Sequence, residues 1–255
     1  MPTPVTLKAP SWSTPEFEED ELDEVKVRFS REAETAGRLN HLNIVTIYDA
    51  GEEHDLAYIA MEFLKGHDLA RCCKPDNLMD MRTVISIVAR SAEGLDFAHK
   101  QNVVHRDIKP ANIMFEPVSN TVKITDFGIA RITDSGKTKT GMMLGTPSYM
   151  SPEQLASKNV DGGSDLFSLG VMLYQMLSGS LPFKADSMAS LMFKITNEEA
   201  ADVRTIRTDI PEALAAVINN ALLKDVELLY QNGAEFADAL KVLLKASRLS
   251  NEFAR

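Results

Sequence analysis

Two short stretches hold most of the chemistry available to this sequence: HRDIKPANIMF (His105 to Phe115) and VKITDFGIAR (Val122 to Arg131). Asp107 can accept the proton of an attacking hydroxyl. Lys109, two residues on, can reach an anion in transfer. Asn112 and Asp126 offer oxygen ligands of the hard type that magnesium prefers. These are the parts a phosphoryl transfer requires, because that reaction needs positioning and neutralisation of phosphate charge more than covalent help.

The elements that must hold these loops can be read from the rest of the chain. NIVTIYDAGEEHDLAYIAMEF reads as two short strands rich in Ile, Val and Tyr, joined by a polar turn at GEEHD. Before it, VKVRFSREAETAGRLN has helical composition. From about Gly66 the character changes: RTVISIVARSAEGLDFAH places Val84, Ile87, Val88, Ala92, Leu95 and Ala98 on one helical face. LFSLGVMLYQML (Leu166 to Leu177) is too short for a membrane span and reads as a buried helix. EALAAVINNALL and EFADALKVLLKASRL are amphipathic helices near the end. The first quarter is therefore expected to be a small mixed α/β unit and the remainder mainly helical. The 255 residues suffice for two modest lobes around a real core.

Charge and cysteine usage narrow the function classes. A net charge of −10 argues against a nucleic-acid or anionic-membrane binder, since both require a basic surface. The acidic run PEFEEDELDE (Pro15 to Glu24) reads as a solvated helix start or loop. The two cysteines, Cys72 and Cys73, are adjacent. That spacing suits neither a disulfide framework nor a metal site. With no export signal in the sequence, a cytoplasmic location is expected.

H-R-D-I-K-P-A-N, followed by D-F-G and then GTPSYMSPEQ (Gly145 to Gln154), resembles the eukaryotic-type protein kinases. Within that family the chain is most similar to the bacterial serine/threonine kinases. The resemblance implies an α+β, two-lobed protein-kinase-like fold. Residues 1–64 would form a partial, β-rich N-lobe, and 65–255 a mainly helical C-lobe. It implies ATP with Mg2+ (or Mn2+), protein substrates, and a second copy of the chain as a partner in trans. Asp107 would be the catalytic base, Lys109 the phosphate-contacting lysine, and Asn112 and Asp126 the metal ligands. Arg106, directly before the base, is typical of kinases activated by phosphorylation, because an arginine there needs an anion to organise it. Thr138 and Thr140 are the expected acceptors on the activation segment, and Thr146 belongs to the substrate platform. Lys109 together with Thr146 favours serine/threonine over tyrosine. In AYIAMEFL, Met61 would line the adenine pocket while the backbone of Glu62 and Leu64 bonds the adenine edge. Met114 would lie beneath the ring. Asp165 resembles the buried aspartate that holds the catalytic-loop backbone, and Glu153 the glutamate of the S-P-E motif.

VTLK (Val5 to Lys8) resembles the family's lysine-bearing third strand, so Lys8 would grip the α- and β-phosphates and pair with Glu32. Seven residues precede Lys8 and the first glycine of the sequence is Gly37. The glycine-rich loop over the phosphates is therefore expected to be missing and the N-lobe truncated. Other departures are Thr6 for the usual alanine over adenine, Gly163 where an arginine is common, and Leu229 where an arginine usually pairs with Glu153. A carboxylate left without that cation is expected to be destabilising unless something else compensates. The alternative reading is a catalytically impaired truncated kinase or pseudokinase acting as a binding module. A small-molecule phosphotransferase is disfavoured by the peptide-platform segment GTPSYMSPEQ.

Overall fold

The computed structural model describes residues 5–8, 33–53, 56–127, 147–225 and 227–252, with the backbone alone at 7–8, 52–53, 56–57 and 247–252. Residues 33–37 are helical. One antiparallel sheet has the order β1 (Val5–Lys8), β3 (Leu56–Glu62), β2 (Ile47–Glu53). The expected strand pair is present, and its register shifts by a bulge between Ile47 and Asp49. β1 pairs along β3 with Thr6 opposite Met61 and Lys8 opposite Ile59. Ala33, Val45, Ile59 and Met61 form a small apolar cluster beside this sheet.

A second antiparallel sheet, β4 (His67–Asp68), β5 (Ile113–Glu116), β6 (Thr121–Ile124), carries the chemistry-bearing loops at its ends. Its inward residues Ile113, Phe115, Val122 and Ile124 are buried, and the alternate positions are half-buried, the period-2 pattern of a sheet with one covered face. The two sheets are tied by main chain: Val45 N–H donates to Ile124 C=O (2.9 Å) and Ile124 N–H to Asn43 C=O (2.9 Å). The Asn43 side-chain amide adds a bond to Val122 C=O (2.9 Å).

Helices build the larger core. α1 (Met81–Lys100) starts where the Asp80 carboxylate accepts the Thr83 N–H (2.9 Å), an N-cap that satisfies an otherwise unpaired donor. Its expected stripe from Val84 to Ala98 is buried throughout. A single helical turn, α2 (Pro152–Leu155), opens on a capping box between Ser151 and Gln154. α3 (Gly162–Ser178) is apolar on nearly every face and runs through the centre, with Leu166, Phe167, Leu169 and Leu173 at most 1% exposed. Each such side chain contributes about 1.5–3 kcal/mol relative to remaining in water. α3 ends at Gly179, whose left-handed φ of 71° and close approach to Pro75 both favour glycine. α4 (Met188–Asn197), α5 (Glu212–Ala221) and α6 (Gly233–Glu252) complete the helical part, with α6 lying along α1 and α5 against α3. The helix crossings demand small residues: a Cβ on Gly170 would stand 2.8 Å from Ala221 Cβ. Among the described residues, no helix is long and apolar enough to cross a membrane.

Candidate active site

The loop from His105 to Asn112 is fixed from below by a buried carboxylate. Asp165 on α3 is 1% exposed and accepts the N–H of His105 (2.8 Å, Oδ2) and of Arg106 (2.7 Å, Oδ1). Arg106 has φ 70°, a left-handed conformation that a non-glycine residue keeps only when its surroundings hold it there. A second tether comes from the Gln154 side-chain amide, which donates to Arg106 C=O (2.8 Å). The ring of His105 is wholly buried and its tautomer follows from its partners. Nε2 faces the Thr125 carbonyl (2.8 Å), which can only accept, while Nδ1 accepts the Asp107 N–H (3.2 Å). The same ring meets Phe127 edge-on at 4.7 Å between centres.

On this frame the structure brings together three of the four residues named for phosphoryl chemistry, Asp107, Lys109 and Asn112. Lys109 Nζ lies 2.6 Å from Asp107 Oδ2, and the Asn112 amide donates to the same oxygen (2.9 Å) and to Asp107 C=O (2.7 Å). The Asp107 and Lys109 side chains are each 38% exposed, so their pairing is one that an arriving anion can compete for. Asn112 is buried at the end of a Pro110–Asn112 3-10 turn, begun by a proline whose fixed φ suits the first position. Its backbone C=O accepts the N–H (2.9 Å) and the hydroxyl (3.2 Å) of Thr125. Asp126 is the next residue, at φ 65°, where the chain leaves β6. With its amide N–H groups turned to Asp107, Asn112 keeps its carbonyl oxygen for another partner. An amide carbonyl oxygen is a ligand of the hard type that a divalent cation such as magnesium prefers.

The end of β3 meets β6, a strand of the sheet that carries these loops. Met61 is 8% exposed and Leu64 half-buried against the small cluster. The Glu62 N–H donates to Thr46 C=O (2.9 Å), so any recognition by its backbone falls to its carbonyl. The Glu62 side chain has a role that the sequence did not announce. Its Oε1 accepts Thr46 N–H (2.7 Å) and pairs with Lys123 Nζ (2.6 Å), which also donates to Ile44 C=O (3.0 Å). Met114 is half-buried directly across from Lys123 in the β5–β6 register, on the sheet face that looks toward Glu62. Of Lys8 only the backbone, paired to β3, is described, and Glu32, Thr138, Thr140 and Thr146 lie outside the described residues.

Glu153 is half-buried, and Leu229, which stands where the family usually has an arginine, is 5% exposed. The compensation is a hydroxyl: Ser164 Oγ donates to Glu153 Oε1. Among the described residues no cation pairs with Glu153, so a hydrogen bond from the first turn of α3 to α2 stands where the family usually has an ion pair.

Three contacts were missed in the sequence reading: His99 against Asp165, Gln154 against Arg106, and Glu62 against Lys123. Each joins residues far apart in the chain, and no local spacing announces them.

Comparison with known proteins agrees with the motifs. The model of the protein kinase domain family matches residues 15–250. A probable serine/threonine-protein kinase of Clostridium acetobutylicum is 39% identical over 226 residues, covering 88% of this chain and 34% of that protein. Serine/threonine-protein kinase PknB of Mycolicibacterium smegmatis is 39% identical over 243 residues, with 88% and 39% covered. Serine/threonine-protein kinase pkn3 of Myxococcus xanthus is 42% identical over 209 residues, with 78% and 38% covered. The chain thus spans between a third and two fifths of the length of these relatives.

Proposed function

The chain belongs to the protein kinase domain family, and from that membership we propose that it transfers the γ-phosphoryl group of ATP to serine and threonine hydroxyls of proteins. The observation that carries this reading is the Asp107 carboxylate, held between Lys109 (2.6 Å) and Asn112 (2.9 Å). Such a carboxylate is acceptor-only, oriented and accessible, which a base for a substrate hydroxyl must be. The printed names of the relatives, all serine/threonine-protein kinases, support the substrate class.

In this reading Asp107 accepts the hydroxyl proton as the oxygen attacks the γ-phosphorus, and the bond from that phosphorus to the β–γ bridging oxygen breaks to release ADP. Lys109 turns from Asp107 to the transferred group and neutralises its growing charge. Asn112 Oδ1 and the Asp126 carboxylate would hold Mg2+, which would supply neutralisation of the phosphate charge. Met61, Leu64, Met114 and the Glu62 carbonyl form the adenine site, and Lys8 with Glu32 grips the inner phosphates. Residues 1–64 make up the β-rich lobe and 65–255 the helical lobe. Thr138 and Thr140 are acceptors on the activation segment, modified in trans by a second copy of the chain, and Thr146 contributes to the peptide platform. Support for activation by phosphorylation comes from Arg106, which stands directly before Asp107, where an arginine needs an anion to organise it. The reading places the chain in the cytoplasm, and the free, buried Cys72 and Cys73 support a reducing environment.

The test is the intact mass of the purified chain after incubation with Mg·ATP, beside Asp107→Asn. Additions of about 80 Da in the parent alone, the mass of one phosphoryl group, are expected, and peptide mapping should place some on Thr138 or Thr140. An Asp107→Asn protein that gains phosphate as fast as the parent would overturn the base assignment.

A further inference from the structure

The stretch from Pro147 to Leu155, which follows Thr146 in the chain, is seated on α3 by three of the few polar side chains that helix carries. Ser168 Oγ donates to Tyr149 C=O (2.7 Å), the Tyr149 hydroxyl donates to Gln175 Oε1 (2.5 Å), and Ser164 Oγ donates to Glu153 Oε1. At roughly 100° per residue, positions 164, 168 and 175 lie within about 40° of one another around the helix, so they form one polar stripe on an otherwise apolar element. The same stretch reaches the catalytic loop through the Gln154 amide on Arg106 C=O (2.8 Å).

The Ser164 contact differs from its neighbours in what depends on it. Tyr149 is held twice, whereas α2 is a single turn of four residues whose capping box closes within itself. So short a helix does not persist without outside contacts. Among the described residues Ser164 is the only side-chain partner of Glu153, and it is fully buried. Leu229 lies beside the bond, 3.5 Å from where a Cβ on Gly163 would stand, and it brings hydrocarbon rather than a cation. An ion pair needs its carboxylate charged. A hydroxyl donor needs only an acceptor oxygen, which an amide offers as well as a carboxylate does.

We propose that Ser164 is a positioning residue for the peptide substrate: its hydroxyl latches α2, and with it the Pro147–Ser151 stretch, to α3 by a hydrogen bond that does not require the charge of Glu153. The proposal rests on the kinase reading above, and the experiment separates the two. Phosphorylation of a synthetic peptide copying residues 133–145, which holds Thr138 and Thr140, is measured beside amide hydrogen exchange. Both are run on the same preparations of parent, Ser164→Ala, Glu153→Ala and Glu153→Gln.

Ser164→Ala and Glu153→Ala are each expected to raise KM for the peptide ~5-fold, the scale of one lost hydrogen bond, with kcat and KM for ATP held within ~2-fold. The Leu155 and Ala156 amides, which close α2 on Ser151 and Pro152, should exchange about 5-fold faster while those of His105 and Arg106 stay parental. Glu153→Gln keeps an acceptor oxygen and should remain within ~2-fold of the parent in both readouts. Were Glu153 held by a cation, the same change would leave that cation unpaired and cost as much as alanine. Folded Ser164→Ala with parental peptide KM, or with parental exchange at both α2 amides, overturns the proposal. Glu153→Gln as impaired as Glu153→Ala also overturns it, because charge then holds the latch. So do equal losses in peptide KM, ATP KM and exchange protection throughout the chain, since the role is then general stability. If Ser164→Ala does not fold, Glu153→Ala against Glu153→Gln decides by the same criteria. A parent that phosphorylates neither the peptide nor itself sinks the kinase reading alone, and exchange at Leu155 and Ala156 still decides whether Ser164 holds α2.

Discussion

Asp107 is useful only if its carboxylate is aimed and within reach, and different neighbours secure these properties. Asn112 and Lys109 aim it from the sides at 2.9 and 2.6 Å, while its 38% exposure leaves room for a substrate hydroxyl. Asp107→Asn keeps the shape but removes the proton acceptor. Turnover should fall by about 10²–10⁴, the usual contribution of a positioned general base, with a melting temperature close to the parent's. A phosphorylation time course beside a thermal melt checks both halves. Asp126→Asn tests a different role at the same scale. A metal ligand matters to the nucleotide only through the metal, so this variant should weaken ATP binding with Mg2+ present and leave binding in EDTA unchanged. Titration calorimetry under the two conditions decides; equal losses in both would refute the ligand role.

Helix packing presents a cost that function does not explain. Lys224, just beyond α5, lies with Nζ 3.8 Å from the centre of the Phe183 ring and 5.0 Å from that of Phe167 on α3. Among the described residues this Nζ is buried without a hydrogen-bond partner. The aromatic faces return part of the desolvation cost as a cation–π attraction of about 0.5–2 kcal/mol. Burial still pushes the ammonium pKa from 10.5 down to about 8. The unfolded chain then binds more protons than the folded one between pH 8 and 10.5, so stability gains with pH across that window and the penalty is fully present below it. Lys224→Met has no such group. Denaturant midpoints of parent and variant should therefore converge, or cross in the parent's favour, as pH rises from 7 to 10. A constant difference over that range would show that the lysine is not desolvated.

Across the whole molecule, the two sheets act as one unit because β6 is clasped to the segment before β2 and to the end of β3. Main-chain bonds at Asn43 and Val45 make the first contact, and the Glu62–Lys123 pair at 2.6 Å makes the second. Their side chains are only 21% and 12% exposed, so removing one partner strands a charge in a poorly solvated place. Glu62→Ala should cost about 2 kcal/mol, less than the 3–5 typical of a fully buried pair broken from one side. Replacing both residues by leucine should recover much of that loss, because no unpaired charge remains. Urea unfolding of the two variants checks this; a double variant no more stable than Glu62→Ala would contradict it. In the proposed kinase Glu62 adjoins the adenine site, so the single variant should also raise KM for ATP.

The sequence by itself determined the parts whose information is local. The buried stripe of α1, the apolar α3 and the β2–β3 pair follow from periodicity, and Asp107, Lys109, Asn112 and Asp126 fall within one short span whose two loops are joined by β5 and β6. Only the tertiary structure decided which distant groups complete them. His99 meets Asp165 across 66 residues of chain and Glu62 meets Lys123 across 61. The Glu153 carboxylate, expected to lack a partner once Leu229 replaced the arginine, takes a serine hydroxyl from α3 instead. The physical reason is that burial patterns record how much of each element faces a core, whereas the pairing of two polar side chains depends on the angle and offset at which those elements pack. Small residues such as Gly162 and Gly170 set that offset by what they leave out, and a missing side chain does not name its neighbour until the helices are in place.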